Sequence, residues 1–447
     1  MKKGLDNLTL IKRIASEVEK RGGRAYLVGG CVRDELLFLE SKDFDVEIHF
    51  LSQAECESVL DMFGERVEVG KSFGVYNLKG YDIDIALPRS EKKSGERHRD
   101  FDIDVNPFID LKEGAKRRDF TINALMKDVL TGEVLDFFNG KQDLGNKVIR
   151  HICDETFVED ALRVFRAAQF CSRFNFTLAP ETENLCKKID VDYLSKERVY
   201  EELVKALLKS AKPSVFFEVL RKVNKLSEFF PELEALINVE QSSVYHKEGD
   251  VWTHTMMVLD EAAKVREKAE EKLGFMLSAL VHDVGKAVTT VNSNGKISAL
   301  EHEVKGVSIA EKLLNRVTND KKIIKYVLNM VLNHMKPNKL AAQGSCIKKT
   351  NKMFDLSICP QDLVLLATCD NYGRIEENFV DHTAFLNERL KIFNETMAKD
   401  FVMGRDLVAA GLKPGKDFSF YLEYAHKLRL AGVDKESALK QTLKAKK

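Results

Sequence analysis

Apolar and polar positions divide the chain into a mixed first part and an almost wholly helical remainder. Up to about residue 150, helical patterns alternate with short apolar runs typical of strands, namely Ala25–Val28, Val46–Leu51, Arg66–Val69, Val75–Leu78, Ile83–Leu87 and Thr131–Phe138. From Val158 onward, apolar residues recur at helical spacing, and in 158–174 they occupy positions 161, 162, 164, 165, 168 and 170. Such periodicity indicates a buried helical stripe. The pattern therefore predicts an α/β head followed by α-helical regions.

The composition is that of an ordinary globular protein. The chain has 447 residues, of which 44% are hydrophobic and 31% charged, and this length predicts about three domains. With 70 basic and 70 acidic residues the net charge is zero, so any RNA binding must use local patches. No apolar run approaches the roughly 18 residues that span a bilayer, which predicts no membrane partner.

The N-terminus and the cysteines predict a cytoplasmic protein. The first 23 residues alternate charged and apolar positions at helical spacing, which indicates an amphipathic helix and not a signal peptide. Eight cysteines occur without a C-x-x-C pair, which favours reduced thiols over a disulfide framework.

The segment LVGGCVRDELLFLESKDFD (27–45) carries the clearest chemistry. Gly29 and Gly30 stand between a strand-like run and a helical pattern, where backbone amides can approach a phosphate. Asp43 and Asp45 lie at i and i+2, so on a strand they project from one face. That pair suits divalent cations that promote nucleotidyl transfer. Alone, however, D-x-D is usually a solvated acidic surface, and the neighbouring glycines and Arg33 strengthen the catalytic interpretation.

Further polar groups join this candidate site. Asp84, in the strand-like YDIDIAL, is either a third carboxylate facing the pair or an edge-strand aspartate, and both interpretations stay open. Arg117 and Arg118 precede Asp119 and a helix-like segment. Arginine suits planar recognition of phosphate, although an exposed Arg-Arg-Asp cluster is common.

Glu159, Asp160 and Arg163 form the pattern E-D-x-x-R. On a helix these three side chains share one face, which allows either a surface ion pair or an edge that reads bases. Cytosine and adenine both present an amine donor beside an unprotonated ring nitrogen, whereas uracil and guanine present the reverse. A carboxylate and a guanidinium could therefore admit C and A and reject U and G.

Histidines concentrate in the second half of the chain. Five of the ten lie between 246 and 334, namely His246, His254, His282, His302 and His334. His282 and Asp283 follow an apolar helical run, His254 belongs to an earlier helix and Asp370 to a later one. Imidazoles and carboxylates converging from separate helices can hold Mn, Fe, Co, Ni, Zn or Mg. A single buried histidine is more often a core residue.

Four motifs together resemble the class II tRNA nucleotidyltransferase and poly(A) polymerase superfamily. They are LVGGCVRDELL, KDFD, RRDFTINALMKD (117–128) and EDALRVFRAAQF (159–170), in the family's order and spacing. The resemblance implies a polymerase-β-like head, a helical neck and template-independent nucleotide addition to an RNA 3′ end. It implies Asp43 and Asp45 as catalytic metal ligands, Gly30, Arg33 and Arg118 as phosphate contacts, Glu159, Asp160 and Arg163 as a protein template, and Arg166 as a nucleotide contact. Ala161 and Gln169 depart from the family's proline and arginine, and Gln169 puts one RNA or phosphate contact in doubt.

The histidine-rich part resembles HD phosphohydrolases, whose pattern is H…HD…D. His254, His282, Asp283 and Asp370 match it, and His302 and His334 fit an optional pair. The resemblance implies a divalent metal (magnesium, manganese, nickel or similar) and metal-dependent phosphatase or 2′,3′-cyclic phosphodiesterase activity. Some bacterial tRNA nucleotidyltransferases carry such a domain behind the head and neck.

These resemblances predict an enzyme that adds CCA to the 3′ end of tRNA from CTP and ATP with magnesium, Mg²⁺. The expected domains are a head (1–150), a neck (151–240), an HD domain (241–400) and a C-terminal helical segment (401–447). Alternatives are a poly(A) polymerase, a partial CC- or A-adding enzyme, and an HD phosphohydrolase whose head only binds nucleotides. The span 87–108 resembles the family's flexible loop, which favours full CCA addition. The oligomeric state is left open.

Overall fold

A computed structural model describes residues 6–41, 43–68, 74–93, 101–242, 246–375, 379–415 and 417–445. Contacts between residues divide the chain into two units. The first consists of Met1–Val199 with Lys222–Lys225, and the second of Tyr200–Arg221 with Leu226–Lys447.

A seven-stranded mixed sheet forms the centre of the first unit, with strand order β3-β4-β5-β2-β1-β8-β9. The strands of this unit are β1 Arg24–Val28, β2 Phe44–His49, β3 Arg66–Glu68, β4 Val75–Leu78, β5 Ile83–Ala86, β6 Arg89–Lys93, β7 Phe101–Val105, β8 Met126–Asp128, β9 Val134–Leu135, β10 Val148–Ile149 and β11 Thr177–Leu178. Strand β2 runs parallel to β5 and antiparallel to β1. The head is therefore α/β, as the apolar pattern predicts.

Eight helices cover and extend this sheet. They are α1 Asn7–Lys20, α2 Gly30–Leu36, α3 Gln53–Leu60, α4 Leu111–Lys116, α5 Gly140–Asn146, α6 Asp154–Phe157, α7 Leu162–Phe174 and α8 Pro180–Lys188. Helix α1 begins where the Asp6 carboxylate accepts a hydrogen bond from the Thr9 amide, and it buries Leu10, Ile14 and Val18 on one face. The predicted amphipathic helix at the N-terminus is confirmed over these residues.

The extent of one predicted strand is wrong. The run 131–138 contains only the two residues of β9, and the neighbouring strand β8 lies before it. The segment 87–108 contributes β6 and β7, which pair antiparallel, and its middle, 94–100, lies outside the described residues.

Over its described residues, the regular structure of the second unit is helical apart from one hairpin of β12 Thr290–Ser293 and β13 Lys296–Ala299. Helix α9 begins in the first unit and α10 ends in it, and the other helices lie wholly in the second unit. The helices are α9 Lys196–Lys209, α10 Ser214–Lys222, α11 Leu226–Phe229, α12 Pro231–Glu234, α13 Val251–Val265, α14 Lys272–Val281, α15 Lys286–Thr289, α16 His302–Val317, α17 Lys321–Asn333, α18 Met335–Ala342, α19 Ile347–Asp355, α20 Pro360–Tyr372, α21 Thr383–Ala398, α22 Gly404–Ala409, α23 Phe418–Leu430 and α24 Lys435–Lys444. Helix α14 is buried from Gly274 to Val281 and packs between α13, α17 and α20. An apolar helix of this kind can only lie at the centre of a bundle.

Candidate active sites

The turn between β1 and α2 brings a glycine against the candidate carboxylates. Gly29 has φ +71°, and a Cβ built on it would lie 2.9 Å from Arg118 Nη1 and 3.7 Å from Asp45 Oδ2. Both the backbone conformation and the space therefore require glycine. Gly30 is the first residue of α2, so its backbone amide lies in the turn that approaches these side chains.

Three carboxylates lie near this turn, two at the start of β2 and one on β5. Asp43 precedes β2 and is exposed, as is Asp45 on that strand. Asp84 is the register partner of Asp45 on the parallel strand β5, and it accepts a hydrogen bond from Asn77 Nδ2 at 2.8 Å. Because β5 lies between β4 and β2, Asp84 does not belong to an edge strand. The register instead places it beside Asp45.

The electrostatics of Asp45 fit a divalent cation. Although the Asp45 residue is partly open to solvent, the protein packed around its carboxyl reduces hydration and raises its pKa. The Arg118 guanidinium opposes this rise, and the charges of Asp84 and Asp43 add to it. Negative groups this close repel one another when ionised. Magnesium prefers carboxylate oxygens and would relieve that repulsion, so this donor set fits Mg²⁺.

A buried glutamate fixes the two arginines of the RRD motif. Glu47 Oε1 accepts from Arg117 Nη2 at 2.8 Å and from Arg118 Nη2 at 3.0 Å, and Glu47 is only 4% exposed. Burial alone would raise the pKa of Glu47, but Arg118, His49 and Arg117 hold it well below its usual range. Glu47 therefore orients Arg118 beside Gly29. Sequence reasoning missed Glu47, although it lies two residues after Asp45 on the same strand face.

Arg33, which the family resemblance implies as a phosphate contact, is held by side chains of the head and of α7. Arg33 is 3% exposed. Its guanidinium donates to Asp34 Oδ1 at 2.7 and 2.8 Å and to Asn123 Oδ1 at 2.5 Å, and it lies over the rings of Phe170 and Phe174. These contacts join α2 to α7, and burial lowers the pKa of Arg33. Arg33 thus connects the head to the neck helix.

The expectation that Glu159, Asp160 and Arg163 share one face of a helix is wrong in part. Helix α7 begins at Leu162, and the Asp160 carboxylate accepts from the Leu162 amide at 3.0 Å. Asp160 and Glu159 therefore precede the helix, because an aspartate next to a helix start satisfies its free amides better than it extends the helix. Arg163 lies in the first turn and donates to the backbone carbonyls of Thr156 at 2.6 Å and Arg117 at 2.8 Å.

A residue far along the chain completes this region. Arg198 of α9 forms a bidentate pair with Asp160, at 3.2 Å (Nη1–Oδ1) and 2.9 Å (Nη2–Oδ2). No sequence signal identifies Arg198, because the contact spans 38 positions. Both side chains keep some exposure, 30% for Arg198 and 23% for Asp160. The pair is therefore accessible from solvent.

Arg166 lies one turn further along α7 and is held by Asp119. Its Nε donates to Asp119 Oδ2 at 2.8 Å, and Asp119 Oδ1 accepts from Asn123 Nδ2 at 2.9 Å. Burial would raise the pKa of Asp119, but Arg166 and Asn123 lower it below its usual value. Gln169 is buried on the same helix, and within the described structure its Nε2 has no hydrogen-bond partner.

Four histidines and two aspartates of the second unit converge from five helices or their ends. His254 lies in α13, His282 and Asp283 directly follow α14, His302 opens α16, His334 follows α17 and Asp370 lies in α20. In each of these four histidines Nδ1 faces a backbone carbonyl, at distances of 2.6 to 3.2 Å. Such a bond places the proton on Nδ1 and leaves the Nε2 lone pair free for a metal.

The Nε2 atoms meet at the two aspartates. His302 and His334 lie 3.2 and 3.6 Å from Asp283 Oδ1, His282 lies 3.3 Å from Asp283 Oδ2, and His254 lies 3.1 Å from Asp370 Oδ1. The Nε2 atoms of His302 and His334 are only 3.3 Å apart. The buried His282 Nε2, although 3.3 Å from Asp283 Oδ2, forms no hydrogen bond among the described residues. Lone pairs this close repel each other unless a cation lies between them. The set therefore fits a metal centre.

Among the residues that the structure describes, three groups of ligand atoms lie close enough to hold an ion, each within 4.8 Å, and all three belong to the second unit. Two are His254, His282 and Asp370, and Asp283, His302 and His334. The third consists of His246, Glu248 and His254. Glu248, which sequence reasoning missed, lies 3.1 Å from His254 Nδ1 and 2.7 Å from His246 Nδ1.

Two basic side chains border this centre. Lys286 Nζ lies 2.7 Å from Asp283 Oδ2, and Arg374 Nη2 lies 2.7 Å from Asp370 Oδ2. Burial would raise the pKa of both aspartates, but these cations and the neighbouring histidines hold each pKa well below its usual value. Lys286 and Arg374 also line a cavity of about 320 Å³ together with Met335. The centre is therefore reachable and ionised.

Three family models match the chain in the order of these sites. They describe a poly(A) polymerase head domain (residues 25–150), a probable RNA- and SrmB-binding site of polymerase A (175–237) and an HD domain (251–371). The fold and the two sites thus define a nucleotidyltransferase of the poly(A) polymerase type with an attached HD domain.

Curated relatives narrow this class. The chain is 35% identical to the multifunctional CCA protein of Actinobacillus pleuropneumoniae serotype 5b (strain L20), with 78% of this chain and 85% of that protein covered. It is 34% identical to the multifunctional CCA protein of Stenotrophomonas maltophilia (strain R551-3), with 87% and 95% covered. The chain belongs to the multifunctional CCA protein family. The Thermotoga maritima CCA-adding enzyme complexed with tRNA shares the fold, with a TM-score of 0.66, 20% identity, and 99% of this chain and 96% of that chain covered. Among the described residues, no helix combines the length and apolar composition needed to cross a bilayer.

Proposed function

We propose that this chain adds C, C and A to the 3′ end of tRNA, with CTP and ATP as substrates. Membership of the multifunctional CCA protein family supports this activity. The observation that carries it is the position of Asp43, Asp45 and Asp84 on neighbouring strands, beside the Gly29 turn and Arg118. This arrangement offers cation ligands and a phosphate contact at one edge of a sheet.

In the head, Asp43 and Asp45 hold Mg²⁺, the Gly29–Gly30 turn admits the triphosphate, and Arg118 contacts it. Bound magnesium lowers the pKa of the RNA 3′-hydroxyl and neutralises the pyrophosphate leaving group. Glu47 keeps Arg118 in place before the nucleotide arrives, so little reorganisation is needed. Catalysis of this kind depends mainly on position and charge.

The residues at the start of α7 select the nucleotide. Asp160 accepts from the exocyclic amine and Arg163 donates to the ring nitrogen, with Glu159 beside them. Arg166 contacts the nucleotide from the next turn. Asp160 is accessible and already held by Arg198, which limits its motion. Because a wrong base leaves polar groups unpaired, discrimination of about 10⁴ is attainable at such a site.

The HD domain hydrolyses phosphate monoesters or 2′,3′-cyclic phosphates. His254, His282, Asp283 and Asp370 hold a divalent metal, with magnesium, manganese and nickel as candidates, and His302 and His334 provide further ligands. Hydrolysis adds water across one P–O bond: the water oxygen joins phosphorus, and a proton goes to the departing ribose oxygen. Lys286 and Arg374 lie at the cavity, where cations favour a phosphate.

The head (1–150), neck (151–240), HD domain (241–400) and C-terminal segment (401–447) are the proposed functional divisions, and the cytoplasm is the proposed location. Eight cysteines without a C-x-x-C pair support a reducing compartment.

The test is incubation of purified protein with tRNA that lacks its terminus, followed by sequencing of the products. CTP and ATP together should give CCA ends, and the Asp43→Ala variant should give none. Glu388→Ala, which removes an exposed acid of α21 in the second unit, is the control and should be fully active. Long tails with ATP alone would instead identify a poly(A) polymerase. Addition that survives Asp43→Ala would refute the proposed site.

A further inference from the structure

The segment 321–354 has an unusual charge for this chain. It contains eight lysines and not a single aspartate or glutamate, although the whole protein has zero net charge. Three of these lysines lie at the start of α17, and five lie on the consecutive helices α18 and α19. A run of like charges without intervening acids is a candidate surface for a polyanion.

The five lysines of α18 and α19 form what we call the lysine surface: Lys336, Lys339, Lys348, Lys349 and Lys352. The two helices contact each other, and Lys336 and Lys352 are close enough to interact electrostatically. All except half-buried Lys336 are exposed. Within the described part of the chain, none of the five forms an ion pair. The Glu303 carboxylate offsets part of the repulsion at Lys336, so the lysine surface is only partly compensated within that part of the molecule.

The lysine surface begins at the HD metal centre. His334 belongs to the centre, and Met335, the next residue and the first of α18, lines the 320 Å³ cavity. Asn338, one turn further, donates to the Ala367 carbonyl at 2.8 Å and lies 3.5 Å from Asp370 Oδ2. Because a helix rises about 5.4 Å per turn, Lys336 and Lys339 lie within one or two turns of the cavity.

We propose that the lysine surface binds the phosphate backbone of an RNA strand whose 3′ end enters the HD cavity. This inference rests on the proposed hydrolase function of the HD domain. The proposed substrate is therefore a phosphorylated RNA terminus and not a free mononucleotide. A mononucleotide is too short to occupy the cavity and contact α19 at the same time. A strand of phosphates supplies the negative charge that these lysines lack, and it gains affinity by releasing counterions.

Two triple variants of the full-length protein separate this surface from general electrostatic attraction. The first is Lys339→Gln, Lys349→Gln and Lys352→Gln. The matched control is Lys321→Gln, Lys322→Gln and Lys325→Gln, which removes the same charge at the far end of α17 in the same unit. Both sets are exposed, so neither should change folding.

The first measurement is the salt dependence of binding to tRNA that ends in a 3′-phosphate. Each lost phosphate contact with single-stranded RNA reduces the slope of log K against log salt by about 0.7. Three contacts predict a slope reduced by about 2 for the α18–α19 variant. Between roughly 50 and 200 mM salt, wild type should then lose about 18-fold more affinity than this variant. The control should keep the wild-type slope.

The second measurement is hydrolysis of the same RNA end and of 2′,3′-cyclic AMP. The α18–α19 variant should lose at least about tenfold in kcat/KM for RNA and keep wild-type kcat/KM for the mononucleotide. The proposal would be overturned if the two variants had equal slopes of log K against log salt. It would also be overturned if the α18–α19 variant kept its RNA binding and lost binding to phosphatidylserine vesicles. Absence of hydrolysis of either substrate would refute the hydrolase function, and the salt slope would still decide for or against the surface.

Discussion

Gly29→Ala should disable the head without unfolding it. The new Cβ would lie 2.9 Å from Arg118 Nη1 and 3.7 Å from Asp45 Oδ2. A guanidinium at the end of a flexible side chain could normally move away, but Arg118 is held by Glu47 Oε1 at 3.0 Å and the Asn123 carbonyl at 3.4 Å. Relieving the clash therefore moves the cation away from the phosphate position or breaks its bond to Glu47.

The magnitude has two parts. Adding a side chain at φ +71° costs about 1–3 kcal/mol of folding free energy. A displaced charge-assisted hydrogen bond is worth about 1.5–3 kcal/mol, which corresponds to roughly a 10- to 150-fold loss of kcat/KM if Arg118 contacts the triphosphate.

Gly22→Ala is the matched control. Gly22 has φ +87°, and a Cβ there would meet nothing within 4 Å. It therefore introduces backbone strain without a clash. Both variants should lower Tm by about 2–4 °C for each kcal/mol lost, measured by thermal unfolding. CTP and ATP incorporation into tRNA should fall only in Gly29→Ala. Equal activity in the two variants would refute the assigned role of Arg118.

Asp119→Asn should destabilise the first unit by about 1.5–3 kcal/mol at neutral pH, because it removes the charge partner of half-buried Arg166. The pKa of Asp119 is lower in the folded protein than in the unfolded chain. The carboxylate therefore stabilises the fold fully above about pH 3.9, and this stabilisation is lost as the pH falls through the lower folded-state pKa. The urea midpoints of wild type and variant should converge in acid for this reason. Asp283→Ala should abolish metal binding at the HD centre, measured calorimetrically with nickel, and phosphate-ester hydrolysis, while CCA addition continues; a variant that still hydrolyses would exclude the assigned centre. Arg163→Ala should permit UTP or GTP incorporation while addition itself persists, and sequenced products with unchanged C and A selectivity would contradict the template hypothesis.

Sequence patterns were sufficient for the architecture. Short apolar runs and helical periodicity predicted an α/β head and helical remainder, and motif spacing predicted the family, both of which are confirmed. The candidate HD ligands could also be selected from the sequence, because four histidines and two aspartates in this order are typical of a metal site. Local chemistry of this kind is encoded over a few neighbouring positions, where a single sequence is informative.

Several side-chain partners could not be foreseen. Arg33 looked available to a phosphate, but the aromatic rings of α7, some 140 positions away, bury it. Asp160 looked like the helical neighbour of Arg163, but it precedes the helix and pairs with Arg198. In both cases, a long-range contact decides which polar group is satisfied inside the protein and which one faces a ligand.

The sequence by itself determined which chemical groups this protein carries and the order in which they occur. Only the tertiary structure decided their neighbours: Glu47 under the two arginines, Asp84 beside Asp45, and Glu248 behind His254. The physical reason is that charge, burial and hydrogen bonding depend on distance in space. Folding brings together residues whose separation in sequence carries no record of that distance.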